Sequence, residues 1–172
     1  MTDFDSISPA PADPVEAIYA QWAREMPDIS TRGAQVLARI RRITLNVRQR
    51  IEAGFADFGI DSGEFDVLAT LRRSGAPFTL RPTELYRSLM ISSGGLTDRL
   101  DRLEKAGLVH RFKSPEDARS LLVELTPEGC ARIEAAFRAD MALENTLVEA
   151  LSETEHQDLV RLLRKLSLSL EV

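Results

Sequence analysis

A mainly α fold built on a winged helix–turn–helix is what this sequence predicts, and three features predict it. Apolar residues recur every three or four positions through several long segments, which is the spacing of amphipathic helices. That spacing gives way to alternation at Val109, Arg111 and Lys113 and again at Leu121, Val123 and Leu125, on either side of the turn-forming SPEDARS, so a hairpin is expected there. Two short helical segments immediately precede the hairpin, the second of them basic, and two longer ones follow it. A second helix that enters the major groove and a hairpin tip that reaches the adjacent minor groove are the working parts of that arrangement.

Each element has its own signals. Residues 1–12 are acidic and Pro-rich, lack the basic and apolar regions of a signal peptide, and read as the disordered lead-in of a cytoplasmic protein. Residues 13–60 hold the N-terminal helices. Asp13 caps and Pro14 opens a short helix that Pro27 closes, with Ile18 and Trp22 sharing a face. A long helix runs from about Gly33 to Phe58 with Val36, Ile40, Ile43, Val47, Ile51, Phe55 and Phe58 along one side, and Gly59 ends it.

Residues 61–126 make the winged helix–turn–helix. Asp61 and Glu64 form a capping box for its first helix, which Gly75 terminates. APFTL is a short extended link, and RPTELYRSLM is a short helix with Leu85 and Leu89 facing in. SSGGLTDRLDRLEKAG is the basic helix, with Ser92 or Ser93 as its N-cap, Leu96, Leu100 and Leu103 as its buried stripe, and Gly107 as its C-cap. Residues 127–172 are two helices. Thr126 and Pro127 start the first, whose inward side is Ile133, Phe137, Met141, Leu147 and Leu151. The Ser152–Glu155 capping box starts the second, which carries Leu159, Leu162, Leu163, Leu166 and Leu170.

Composition narrows the function classes. No apolar run reaches the roughly 18 residues that span a bilayer. The single cysteine, Cys130, excludes an internal disulfide, and no spacing of ligands marks a metal or cofactor site. His110 and His156 have no nucleophile or ligand partner in the pattern, which speaks against an enzyme. The net charge is −5, yet Arg72–Arg119 holds 10 Lys and Arg against 6 Asp and Glu, while the remainder holds 12 against 21. A basic middle between acidic ends is a phosphate-binding footprint on an otherwise repelling body.

The basic helix fits DNA better than a nucleotide phosphate, because SSGG follows no strand and no G-K-[ST] is present. Ser92 and Ser93 place helix N–H groups toward a phosphate, and Gly94 and Gly95 let the backbone approach the groove floor. Thr97, Asp98, Asp101 and Arg102 lie off the leucine stripe, toward base edges, and Lys105 continues that side. Asp117 is placed to brace Arg119 for a narrow minor groove. Arg81, Arg87, Arg111 and Lys113 are expected phosphate contacts.

The segment PTELYRSLMISSGGLTDRLDRLEKAGLVHRFKSPEDARSLLVELTPEG resembles the core of the MarR family of winged-helix regulators, through LTDRLDRLEKAGLV, the D-x-R of EDARS, and VELTPEG. The resemblance runs from about Gly33 to Leu170. It implies a homodimer, built through the long N- and C-terminal helices, on a pseudo-palindromic double-stranded operator. AQWAREMPD and GEFDVLATLRRSGAPFTLRPTEL are similar to the PecS-like, urate-responsive branch, which has an extra N-terminal helix. That likeness implies an effector site at Trp22, Asp66, Thr97 and Arg99, for urate or a related purine or aromatic acid, whose binding releases a repressor from its operator. Two departures from the pattern stand out. Ala118-Arg119 replaces an expected Arg-Arg at the wing, and Arg39, Arg41 and Arg42 stand where smaller residues are expected, which suits a more anionic or differently shaped ligand. A winged-helix protein-interaction module without DNA binding or ligand response is the alternative, supported by the acidic total and Ala118.

Overall fold

The computed structural model describes residues 13–89, 95–117 and 120–171. The lead-in, Ser92, Ser93, Gly94, Ala118 and Arg119 lie outside the described residues. In chain order the elements are α1 (Pro14–Glu25), α2 (Arg32–Ala56), α3 (Ser62–Arg73), β1 (Thr79–Leu80), α4 (Pro82–Ser88), α5 (Leu96–Lys105), β2 (Val109–Lys113), β3 (Leu121–Leu125), α6 (Pro127–Leu147) and α7 (Glu153–Leu168). The chain divides into two compact units at Arg48–Gln49, inside α2.

In the first unit Asp13 caps α1 by accepting the Val15 N–H at 2.9 Å. Its other oxygen accepts Arg39 Nε at 2.9 Å, which ties the start of α1 to α2. The Val15 N–H and then the Arg39 guanidinium hold the Asp13 carboxyl below its ordinary range, against partial burial. Arg39 is therefore spent on a helix cap.

The second unit closes around one apolar cluster. Phe55 and Ile60 come from the end of α2 and the turn after it, Val67, Leu68 and Leu71 from α3, and Leu85 from α4. Leu96, Leu100 and Leu103 of α5, Val123 and Leu125 of β3, and Ile133 of α6 complete it. The α5 stripe is buried as its spacing predicts. The wing is also as expected, with β2 and β3 antiparallel and Arg111 opposite Val123. One strand was not expected: Thr79 and Leu80, read as a link, pair with Glu124 and Val123 to make a three-stranded sheet in the order β1-β3-β2. Two residues are too few for alternation to show.

Turn chemistry sets the joints. At the end of α5 the Leu108 N–H donates to Leu103 O and the Gly107 N–H to Glu104 O, both at 2.9 Å. Gly107 sits at φ +73°, so this is a Schellman motif that turns the helix directly into β2. At the start of α6 the Gly129 backbone lies close against Leu108. A Cβ on Gly129 would lie 2.0 Å from the Leu108 carbonyl oxygen. Thr126, the α6 cap, donates its hydroxyl to Gly107 O at 2.7 Å and accepts the Gly129 N–H at 3.0 Å. The VELTPEG motif thus seats α6 on the α5–β2 turn.

Helix α5 starts at Leu96 with Gly95 at its cap position and no side-chain cap bond, and the serine cap expected at Ser92 or Ser93 lies outside the described residues. One expectation fails. The stripes of the C-terminal helices are buried only in part within this chain. Ile133 of α6 is in the core, but Phe137 is 49% exposed, Leu159, Leu162, Leu163 and Leu170 are exposed, and α7 contributes no buried residue. The first half of α2 behaves likewise at Val36 and Ile43.

Asp140 of α6 is buried, and its Oδ1 has no hydrogen-bond partner. It lines a small cavity of about 90 Å³ with Phe55, Phe58 and Ala136. Burial, and then the Glu144 carboxylate, push its carboxyl above the ordinary 3.8. A raised carboxyl keeps its proton longer in the folded than in the unfolded chain, so it weakens the fold as pH rises above that value. Asp140→Asn should raise stability by on the order of 1 kcal/mol near neutral pH, with the gain vanishing in acid, read as Tm against pH. Gly129→Ala should act in the opposite direction, costing about 2–3 kcal/mol and lowering Tm by roughly 5–10 °C in thermal denaturation.

Candidate nucleic-acid interface and the arginine cluster behind it

Helix α5 presents two sides. Thr97, Asp98, Asp101, Arg102 and Lys105 are exposed. Arg99 is turned the other way, half-buried against α3. Thr97 and Arg99 are two residues apart, which on a helix puts them on nearly opposite sides, so Thr97 stays on the outer side. Arg81, Arg87 and Lys113 are exposed around this surface. At the wing the Ser114 N–H donates to Ser120 O, and the Asp117 carboxylate accepts the Ser120 hydroxyl, each at 2.8 Å. The bracing of Arg119 by Asp117 falls outside the described residues.

The structure gives Arg102 and Arg111 intrachain partners that the sequence did not show. Arg111 of β2 reaches two acids of α5. Its N–H and Nε donate to Glu104 at 3.0 and 2.8 Å, and Nη2 meets Asp101 at 2.7 Å. The Arg111 hydrogen bonds hold the Glu104 carboxyl below its ordinary range. Arg102 faces α3: Nε donates to Glu64 Oε1 at 2.7 Å and Nη2 to Asp61 Oδ2 at 2.9 Å. Helix α5 is thus bonded to the wing through one arginine and to α3 through another.

Behind α5, the Arg99 guanidinium lies over the first turn of α3. A Cβ on Gly63 would be 2.3 Å from Arg99 Cζ, so only glycine leaves room for it. Arg99 Nη1 is buried and has no hydrogen-bond partner. Asp66, one turn further along α3, is covered enough that burial pushes its carboxyl above the ordinary range, opposed by the charges of Arg99 and Arg73. The structure therefore brings Asp66 and Arg99 into one electrostatic neighbourhood without a hydrogen bond between them among the described residues. Trp22 belongs to the first unit, where it is 50% exposed and lines a small cavity with Tyr19, Met26 and Ile29.

An open cleft of about 820 Å³ between α3 and α6 escaped the sequence reading. Arg72, Arg73, Phe137 and Arg138 line it. Arg72 pairs with Glu134 at 2.8 Å and lies over the Phe78 ring. The cationic end of α3 and an apolar residue on α6 were visible separately, but their meeting depends on how the helices pack. Gly63→Ala should displace Arg99 while leaving Tm unchanged or slightly raised, since alanine favours the helix by up to about 1 kcal/mol. A shift of the Arg99 Nε–H resonance, with Tm maintained, is the expected readout.

A helix–turn–helix whose outer helix is exposed, basic at its C-terminal end and coupled to a two-stranded wing is a winged-helix DNA-binding unit. Comparison with known proteins agrees. The sequence profile of the MarR family matches residues 60–121, from the start of α3 to the start of β3. The HTH-type transcriptional regulator PecS of Dickeya dadantii (strain 3937) is 36% identical over 149 residues, covering 87% of this chain and 90% of PecS. The multiple antibiotic resistance protein MarR of Salmonella typhimurium is 36% identical over 108 residues, covering 62% of this chain and 73% of that protein. A mutant MarR from E. coli, solved in complex with operator DNA, superposes with a TM-score of 0.67 at 27% identity, covering 84% of this chain and 96% of that one. The chain belongs to the MarR family and is a DNA-binding transcriptional regulator.

Proposed function

We propose that the protein is a homodimeric, cytoplasmic repressor that reads a pseudo-palindromic operator with α5 and the wing, and that a small anionic purine or aromatic acid at Arg99 releases it. The buried, unpartnered Nη1 of Arg99 carries this reading. A buried guanidinium nitrogen without an acceptor costs free energy, and an anion supplies that acceptor. Asp66 beside it penalises the anion while ionised, so binding is favoured when Asp66 is protonated or turned away. The E. coli relative solved with operator DNA supports the DNA half of the proposal. The exposed apolar residues of α1, α2 and α7 support the dimer, since stripes of this kind are normally covered by a second copy in such assemblies.

The cleft between α3 and α6 favours a second effector position, because Arg138 and Phe137 offer a cation and a ring edge there. One screen separates the two. Purines, aromatic acids and other small anions are added to the wild type and to Arg99→Ala and Arg138→Ala, and Tm is recorded. A ligand at 100 times its Kd adds about 2.7 kcal/mol of stability by mass action. Loss of that Tm rise in Arg99→Ala alone supports the first site, and loss in Arg138→Ala alone supports the second. A gel shift on the DNA beside the protein's own gene should show salt-sensitive binding that the same ligand abolishes. Its absence well above micromolar protein would overturn the DNA reading.

A further inference from the structure

The geometry points to Arg102 as the residue that sets the angle of the reading helix, and not as a direct DNA contact. The inference starts from the first turn of α3. Asp61 Oδ1 accepts the Glu64 N–H at 2.7 Å and Glu64 Oε2 accepts the Asp61 N–H at 3.0 Å, which closes the capping box. That uses one oxygen of each carboxylate. The other two, Asp61 Oδ2 and Glu64 Oε1, both go to Arg102. All four oxygens of the pair are accounted for, two for the helix cap and two for the guanidinium. The Glu64 side chain is only 11% exposed, so this end of the bridge is covered, whereas Arg102 keeps half its surface in solvent.

The remaining bonds of α5 show what this bridge governs. At its C-terminal end the Schellman turn and the Arg111 bonds to Asp101 and Glu104 make α5 and β2 one mechanical body. Toward α3 the polar fastening is Arg102 on the cap carboxylates, with the Arg99 guanidinium lying over Gly63 beside it. Residues three apart on a helix are neighbours, so the two arginines grip one turn of α3 side by side. Apolar packing of Leu96, Leu100 and Leu103 resists separation but is non-directional, whereas a forked guanidinium on two fixed carboxylates resists rotation. Arg102 therefore fixes the pitch of the reading head against α3. An anion that draws Arg99 off Gly63 acts on the joint that Arg102 holds.

The inference rests on α5 being the DNA-reading helix, and three variants test it by operator and non-specific DNA affinity across a salt series, with Tm recorded for each. Arg102→Lys keeps the charge but cannot fork across two carboxylates. Glu64→Gln keeps a capping-box residue and the shape but removes the charge that Arg102 faces. Arg102→Ala removes the fork altogether. The expected result is a loss of about tenfold in operator affinity for all three, with non-specific affinity and the salt slope unchanged. The Arg102→Ala, Glu64→Gln double variant should be no worse than either single one. A direct DNA contact predicts otherwise: Glu64→Gln without effect whether the contact is to a base or a phosphate, and for a phosphate also Arg102→Lys near wild type and Arg102→Ala lowering the salt slope by about 0.9 on both kinds of DNA. That pattern would overturn the inference while leaving the DNA reading intact. Failure of the wild type to bind any operator would remove both. If Arg102→Ala does not fold, Arg102→Lys and Glu64→Gln decide between the same two patterns.

Discussion

The carboxylate pair Asp61–Glu64 is the constraint on which the DNA-binding unit depends. It starts α3, and through its outer oxygens it fastens α5 to that start. Everything beyond α5 then follows by covalent and hydrogen-bonded continuity. The Schellman turn at Gly107 passes the orientation of α5 to β2, Arg111 stiffens that corner, and the Thr126–Gly129 seat passes it on to α6. A helix cap in this protein is thus also the reference plane for the reading head. Glu64, a charged residue, is buried with a donor on each of its oxygens, which offsets the cost of removing it from water.

This fastening redistributes the positive charge that makes the middle of the chain basic. Arg99, Arg102 and Arg111 are turned toward α3 or toward the acids of α5 itself. Among the described residues, Arg81, Arg87, Lys105 and Lys113 are exposed cations of α4, α5 and the wing, and Arg102 keeps half its surface in solvent. Internal ion pairs of this kind add little stability where they meet solvent, but their geometry is specific. The local positive charge therefore divides into two groups. Under the proposed reading, part of it is available to the DNA backbone, where it would make affinity depend on salt, and the rest orients the helix that reads sequence.

Local rules made most of the elements legible. Caps at Asp13, Asp61, Thr126 and Ser152, stops at Gly59, Gly75 and Gly107, and the leucine stripe of α5 depend on neighbours within a few residues, and the structure keeps them. What was not legible depends on partners far apart in the chain. Periodicity showed that Arg102 is off the core stripe, but solvent, a DNA groove and a cap 38 residues away all satisfy that condition. Arg99 over Gly63 is of the same kind, although a glycine at the second position of a capped helix was a signal that something approaches there. The β1 strand was too short to alternate. The leucines of α7 carried the right period, but a period identifies an apolar face without saying which chain covers it.

That last point bears on how the reading heads act together. Helix–turn–helix dimers place their recognition helices about one turn of DNA apart, roughly 34–36 Å, and operator symmetry follows from protein symmetry. Exposed apolar residues that a second copy could cover lie on α1 and the first half of α2 in the first unit, and on α7 in the second. The hydrogen bonds that set the angle of each head lie in α3 and α5. Spacing and angle are therefore held by different forces, apolar area for one and a forked ion pair for the other. Under the proposed reading, an effector at Arg99 would alter the angle while the apolar areas stay covered by a second copy, and release from DNA would not require the two copies to separate, because it exchanges a few polar contacts and leaves apolar area buried.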